Sequence, residues 1–205
     1  MADRKLAIGT VAFQCEEEID RMLDSTNGIF PVIVSYGKWK DFKGEDRVDK
    51  TPDIIDSYSN TVQIHNSGLL EPQARNQCMI TAGKMNCDVI IILDTDEVLE
   101  FPLGIEFFKR QLERMILKHP TALGFCVTFN SKETGGDSFT PRIILNPAFT
   151  RYRDRHNQMY FMDKEVLGWD SSKLVGGIII KENKDFRTDK RELRMRERNL
   201  SNPVH

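Results

Sequence analysis

The sequence predicts an α/β fold: a mostly parallel central sheet with helices on both faces, and a smaller mixed half toward the C-terminal end. Three observations lead there. Short apolar, β-branched runs alternate with amphipathic helical runs through roughly the first 130 residues, the order that builds a layered sheet with right-handed crossovers. The alternation breaks after Thr128, where polar and aromatic residues mix with short strand-like runs. And the most apolar run, Val89 to Leu93, stops at a bunch of carboxylates, Asp94, Asp96 and Glu97, at the strand end where such sheets bind ligands.

Taken in order, Lys5 to Phe13 reads as a short buried strand. Ile19, Met22 and Leu23 then fall at helical spacing, behind acidic residues in the first turn where the helix dipole favours them; Gly28 follows as a stop. Ile29 to Gly37 is a second strand, with Pro31 near its start. Lys38 to Ser59 has no clear period and predicts a long loop with a helical turn, and Asn60 to Asn66 a third strand. Leu70 to Asn86 is a helix: Pro72 sits at an allowed early position, Ala74, Cys78 and Ala82 share a face, and Gly83 lies near the end.

Val89 to Leu93 supplies the fourth strand, Ile105 to His119 an amphipathic helix closed by Pro120, and Ala122 to Asn130 a fifth strand. Beyond these, Ser131 to Phe139 predicts a turn or flexible loop and Pro141 to Asn146 a short strand. Arg151 to Phe161 is a polar strand or loop, Leu174 to Asn183 a strand, and Asp185 to Asn199 a closing helix. There is no internal repeat and no low-complexity linker, so one domain is expected over 1–205.

Composition narrows the function classes. The 205 residues carry 29 Lys and Arg against 31 Asp and Glu, a formal net charge of −2, which argues against a general nucleic-acid binder. The four cysteines, Cys15, Cys78, Cys87 and Cys126, form no CxxC pair and fit reduced thiols in a cytoplasmic protein. The N-terminal apolar run is too short for a signal peptide, and the longest apolar run falls far below the ~20 residues of a membrane span.

The carboxylate cluster has two readings. Acidic residues after a strand commonly cap helices and shape turns by accepting from free backbone N–H groups. Desolvating this much negative charge also calls for something positive nearby. Two carboxylates separated by one residue can share a hard divalent cation, Mg²⁺ or Mn²⁺, that leaves coordination sites for phosphate oxygens. By themselves the residues predict a metal–phosphate site at the end of the fourth strand.

Three stretches together, GTVAFQCEEEIDRML, ARNQCMITA and DVIIILDTDEVL, resemble the family 2 glycosyltransferases of the GT-A fold, in order and spacing over roughly the first 130 residues. The resemblance implies a Rossmann-like sheet, a nucleotide-diphosphate sugar donor and a divalent metal. The nucleotide-sugar-binding half would span 1–130 and the acceptor-side half 131–205, with a basic C-terminal helix. PRIILNPAFTRYRDRHNQM is similar to the acceptor-side segment of small bacterial members, where an Arg-led strand precedes a Tyr and then a His.

Carried over residue by residue, the resemblance places Ala12 and Phe13 beside the nucleotide base. Glu17 matches the acidic residue that opens the first helix. Arg75 falls near the nucleotide or diphosphate, though it also reads as an ordinary solvated helix residue. Asp94 faces the ribose or the metal, Asp96 is the main metal ligand, and Thr95 is a spacer whose backbone N–H approaches the donor. His156 supplies a third metal ligand or an acceptor hydrogen bond; it reads equally as a surface residue.

Two departures stand out. In place of the acidic residues that hold the base, the chain reads SYGKWKDF after the second strand, so Tyr36 or Trp39 is expected to stack on a base instead. An inverting transferase also needs a general base. The usual His-Glu pair reads His156-Asn157 here, leaving Asp154 as the catalytic candidate, with Glu133 and Asp137 as rivals.

Gly135-Gly136 reads as the hinge of a lid over the donor or as a plain surface turn. The basic tail, six basic and three acidic residues from Arg187 to Arg198, reads as a solvated face with pairs such as Glu192 and Arg196. Its alternative is peripheral contact with an anionic membrane or lipid-linked acceptor.

The expected function is a metal-dependent, inverting glycosyltransferase with a glycan, lipid-linked or other hydroxyl acceptor. A nucleotidyltransferase would show a Gly-rich, basic loop after the first strand, where this chain reads AFQCEEE. A GT-A-shaped binding module without activity is the third reading.

Overall fold

The computed structural model describes residues 4–40, 48–131, 136–152, 159–161, 164–165 and 174–182. The first strand, β1 (Leu6–Ala12), is buried at every position. A parallel strand covered on both faces needs a continuous apolar run rather than alternation, and this one has it. Helix α1 (Glu16–Thr26) follows, turning Ile19, Met22 and Leu23 inward and starting on Glu16, Glu17 and Glu18. Strand β2 (Val32–Tyr36), helix α2 (Thr51–Ser57) and strand β3 (Thr61–His65) come next. Helix α3 (Glu71–Lys84) leads to β4 (Val89–Ile92), and β5 (Glu97–Glu100) lies four residues beyond. Helix α4 (Ile105–Lys118), β6 (Gly124–Ser131), β7 (Gly136–Leu145), β8 (Thr150–Tyr152), β9 (Met159–Phe161), β10 (Lys164–Glu165) and β11 (Leu174–Glu182) complete the described elements.

Eight strands form one sheet in the order β3-β2-β1-β4-β7-β6-β11-β5. The first four are parallel, β7 runs antiparallel between β4 and β6, β11 is parallel to β6, and β5 closes the edge antiparallel to β11. One face packs Ile19, Met22 and Leu23 of α1 with Ile55 of α2 and Phe108 and Leu112 of α4. The other packs Cys78, Met79 and Ala82 of α3. The expected α/β layering, with helices on both faces, is what the chain adopts. β8, β9 and β10 make a separate three-stranded sheet.

Three features add to or correct the expected elements. The segment after Asp96 is strand β5, not merely a turn: Glu97 and Leu99 are buried while Val98 and Glu100 are half-exposed, a period of two masked in sequence by two glutamates. The fifth strand in the sequence reading, β6, is separated from β4 by β7, a pairing the sequence reading did not address. And Gly136 to Phe139, read as loop, belong to β7, with Gly136 opposite Ser131 and Phe129 opposite Ser138. Cross-strand pairing holds this polar arm together, including Asn130 Nδ2 donating to Asp137 Oδ1 at 3.0 Å. Only 132–135 separate the two strands, so the second glycine of Gly135-Gly136, read as a lid hinge or as a surface turn, lies inside the ladder.

Candidate active site at the carboxyl ends of β1 to β4

β4 leaves the sheet at Leu93, whose N–H still donates to Gly9 at 3.0 Å, and the chain turns at once. The turn closes on itself: Glu97 N–H donates to the Asp94 carbonyl at 3.1 Å, and Asp94 N–H donates to Glu97 Oε2 at 2.8 Å. Part of the acidic bunching is therefore turn chemistry, the plainer of the two sequence readings. It does not account for the charge, because Asp96 and Glu97 are only 6% and 3% exposed.

Two arginines meet that charge. Arg75, one turn into α3, donates from Nη2 to Asp94 Oδ1 at 2.6 Å and to Glu71 Oε1 at 2.9 Å. Arg142, in the middle of β7, reaches Asp94 Oδ2 at 3.4 Å and forms an ion pair with Glu97 Oε1. Each guanidinium side chain is 13% exposed, so Arg75 is not a solvated helix residue. The antiparallel course of β7 is what brings Arg142 here, between β4 and β6. Arg142 is the member that sequence reasoning did not place in the site, and Glu97 was read as part of the carboxylate bunch without a role of its own. The signal for both was available, in the uncompensated carboxylates and in an arginine leading an otherwise apolar strand.

The electrostatics separate the two paired carboxylates. Burial works against the charge of Asp94, but Arg75 and Arg142 outweigh it and hold the group down at about 2. Glu97 goes the other way. Burial, helped by the charges of Asp94 and Asp96, outweighs Arg142 and pushes it up to about 8.

Across the neighbouring strand ends sits an aromatic group. Phe13 follows β1 and Tyr36 ends β2, their rings 6.2 Å apart; Trp39 meets Phe13 edge-on at 6.2 Å, and His65, ending β3, meets Tyr36 edge-on at 6.2 Å. Backbone bonds hold this arc in place. Gly37 donates to Ala12 at 3.1 Å, Asn66 to Tyr36 at 2.7 Å and Lys40 to Leu69 at 2.8 Å. Gly37 has φ +153°, and a Cβ there would run into the Asn66 carbonyl. Only glycine permits this approach.

The structure thus brings Ala12, Phe13, Tyr36, Arg75, Asp94, Thr95 and Asp96 to adjoining strand ends. Ala12 is buried and stands opposite Tyr36 across β1 and β2. Thr95 is more than a spacer, since its side chain hydrogen-bonds the Cys15 thiol, and Cys15 N–H in turn donates to Thr51 Oγ1 at 2.9 Å. Burial pushes that thiol up to about 12, which leaves it protonated and inert. Glu17 lies in the first turn of α1. Asp137 lies five residues from Arg142 along β7, about 17 Å by strand rise. Asp154, His156, Glu133, Gly135 and the basic tail lie outside the described residues.

Three solved structures align with part of the chain. S. aureus TarS 1-349 in complex with UDP aligns at 14% identity and a TM-score of 0.40, over 62% of this chain and 36% of that one. Glucosyl-3-phosphoglycerate synthase from Mycobacterium tuberculosis, in complex with Mn²⁺, UDP and phosphoglyceric acid, aligns at 14% and 0.40, over 64% and 44%. A 4-diphosphocytidyl-2C-methyl-D-erythritol synthase aligns at 12% and 0.42, over 71% and 77%. The chain thus spans about a third to under half of the first two. No family model and no curated protein matches the sequence. No helix among the described residues is long and apolar enough to cross a membrane.

The donor set can be tested against a divalent cation. Both oxygens of Asp94 already accept from a guanidinium, and no group of three His, Cys, Asp or Glu side chains among the described residues forms a closed metal cage. Asp96 is buried at the same turn. That fits a cation of the Mg²⁺ or Mn²⁺ kind, which takes one or two carboxylates and fills its shell with water and substrate phosphates.

Proposed function

We propose that the chain is a nucleotide-sugar-dependent glycosyltransferase that moves a sugar from a nucleoside diphosphate to a hydroxyl acceptor, a glycan or lipid-linked glycan. The observation that carries this reading is the joining of two features at one sheet edge. A pinned aromatic arc suited to a base lies beside a turn where two buried arginines and three carboxylates converge.

In this reading the base stacks on Tyr36 or Trp39, with Phe13 and Ala12 behind it, and the diphosphate lies over the Asp94–Asp96 turn. Arg75 and Arg142 hold the Asp94 carboxylate in one orientation toward the ribose and supply positive charge where the leaving group collects negative charge. Asp96 is the residue that would hold a divalent cation, whose Lewis acidity would assist departure of the nucleoside diphosphate. Displacement is with inversion, and Asp154 is the candidate to take the acceptor proton, with His156 beside it in sequence as a further ligand or acceptor contact.

The first turn of α1 carries Glu16, Glu17 and Glu18 directly after β1, a poor cradle for a triphosphate, which disfavours a nucleotidyltransferase. Calorimetry with UDP, GDP, ADP and CDP, in Mn²⁺ and then in EDTA, tests the proposal on wild type and Asp96→Ala. One nucleotide is expected to bind, more weakly in EDTA and in the variant. A folded wild type that binds none of them refutes the enzyme reading.

A further inference from the structure

Asn76 follows Arg75 on α3 and holds a different part of the chain. Its Nδ2 donates to the Tyr152 carbonyl at 2.8 Å, and its Oδ1 accepts from the Tyr152 N–H at 2.7 Å. One amide side chain thereby imitates a strand partner for a residue 76 positions away. On its other side β8 pairs with β9, Tyr152 opposite Met159. The Tyr152 side chain is buried, and its phenol has Arg75, Arg142 and Asp94 as charged neighbours.

A second fastening lies seven residues along the helix, about 10 Å by helical rise. There Gly83 approaches the Ala148 backbone so closely that a Cβ would come within 2.8 Å of its Cα. The 148–152 stretch is thus tied to α3 at two points and ends beside Arg75. Helix α3 holds the donor-side turn through Arg75 and the start of the acceptor-side segment through Asn76, from consecutive residues. Helical backbone between consecutive residues is stiff, so the distance between the two grips is fixed.

We propose that Asn76 is a positioning residue that sets Tyr152 against the Arg75–Asp94 pair. The inference rests on the functional reading above. Leaving the Tyr152 N–H and carbonyl unpaired in a buried place is unfavourable, so without the amide the strand end shifts or frays. Asn76→Ala removes both bonds; Asn76→Asp keeps the acceptor and loses the donor.

The test has two arms. The first is amide hydrogen exchange of the protein alone. Exchange at Tyr152 is expected to rise at least tenfold in Asn76→Ala and less in Asn76→Asp, with α3 and β4 amides unchanged; an unchanged Tyr152 amide overturns the proposal. The second arm compares nucleotide binding with release of nucleoside diphosphate from the corresponding nucleotide-sugar. Binding is expected to stay within threefold of wild type while turnover falls at least tenfold in Asn76→Ala, with partial recovery in Asn76→Asp. Unchanged turnover, or binding and turnover falling together, overturns the positioning role. A wild type that binds no nucleoside diphosphate overturns the functional reading and the positioning role with it, whatever the exchange arm shows about the fastening.

Discussion

Glu97 is the group through which the buried cluster is expected to report on pH. Its carboxyl stands at about 8 in the folded protein against an ordinary value of 4.5, chiefly through burial, with Asp94 and Asp96 adding to it and Arg142 opposing. A raised acid binds its proton more tightly folded than unfolded, so its contribution is fully present below 4.5 and is lost as pH rises through 8. Each pH unit inside that window removes ~1.36 kcal/mol. Between pH 5 and pH 8 the loss comes to about 3–4 kcal/mol, a large part of a typical domain's stability.

Urea unfolding followed by circular dichroism at pH 5, 6, 7 and 8 reads this directly, with Glu97→Gln as the control. The variant is expected to be less stable at pH 5, because an amide cannot accept from both Arg142 and the Asp94 N–H. Its stability should nevertheless be nearly flat where the wild type declines. Parallel curves for the two proteins would show that Glu97 is ionised throughout, and that Arg142 outweighs burial.

Other outcomes follow from the same geometry. Asp94 is held down at about 2, so its contribution is present above its ordinary 3.8 and disappears as pH falls through 2; Asp94→Asn should flatten that acid limb and, by leaving two largely buried guanidiniums without their shared carboxylate, cost about 3 kcal/mol in urea unfolding at pH 7. Gly37→Ala puts a Cβ into the Asn66 carbonyl, and unfolding should show a loss on the order of 2–3 kcal/mol with a shift in Trp39 fluorescence as the aromatic arc is displaced. Tyr36→Ala should weaken nucleotide binding by about 1–3 kcal/mol if the ring stacks on the base, measured by titration calorimetry; unchanged affinity would move the base elsewhere.

Much of the fold was legible because parallel strands buried on both faces leave near-continuous apolar runs, as in Leu6–Ala12 and Val89–Ile92, and the helices between them keep their period. What could not be read locally was pairing. β5 alternates over only four residues, two of them glutamates. The extension of β7 back to Gly136 depends on its partner β6 rather than on its own polar, glycine-led sequence. The same division holds at the site. Asp94, Asp96 and Arg75 belong to local patterns, whereas Arg142 becomes a site residue only because an antiparallel strand inserts beside β4. The uncompensated acids called for positive charge, but chain topology alone decides which arginines supply it.

That insertion also bears on how the protein is made. Asp94 and Arg142 are 48 residues apart in sequence. At a synthesis rate of roughly 5–20 residues per second, Arg142 is added about 2–10 s after Asp94. During that interval β4 has no neighbour on its β7 side, and the acidic turn has Arg75 alone for company. A nascent chain in that state exposes an unpaired apolar edge next to uncompensated charge, a combination open to holding by chaperones. A fragment cut after α4 would carry the same defect permanently.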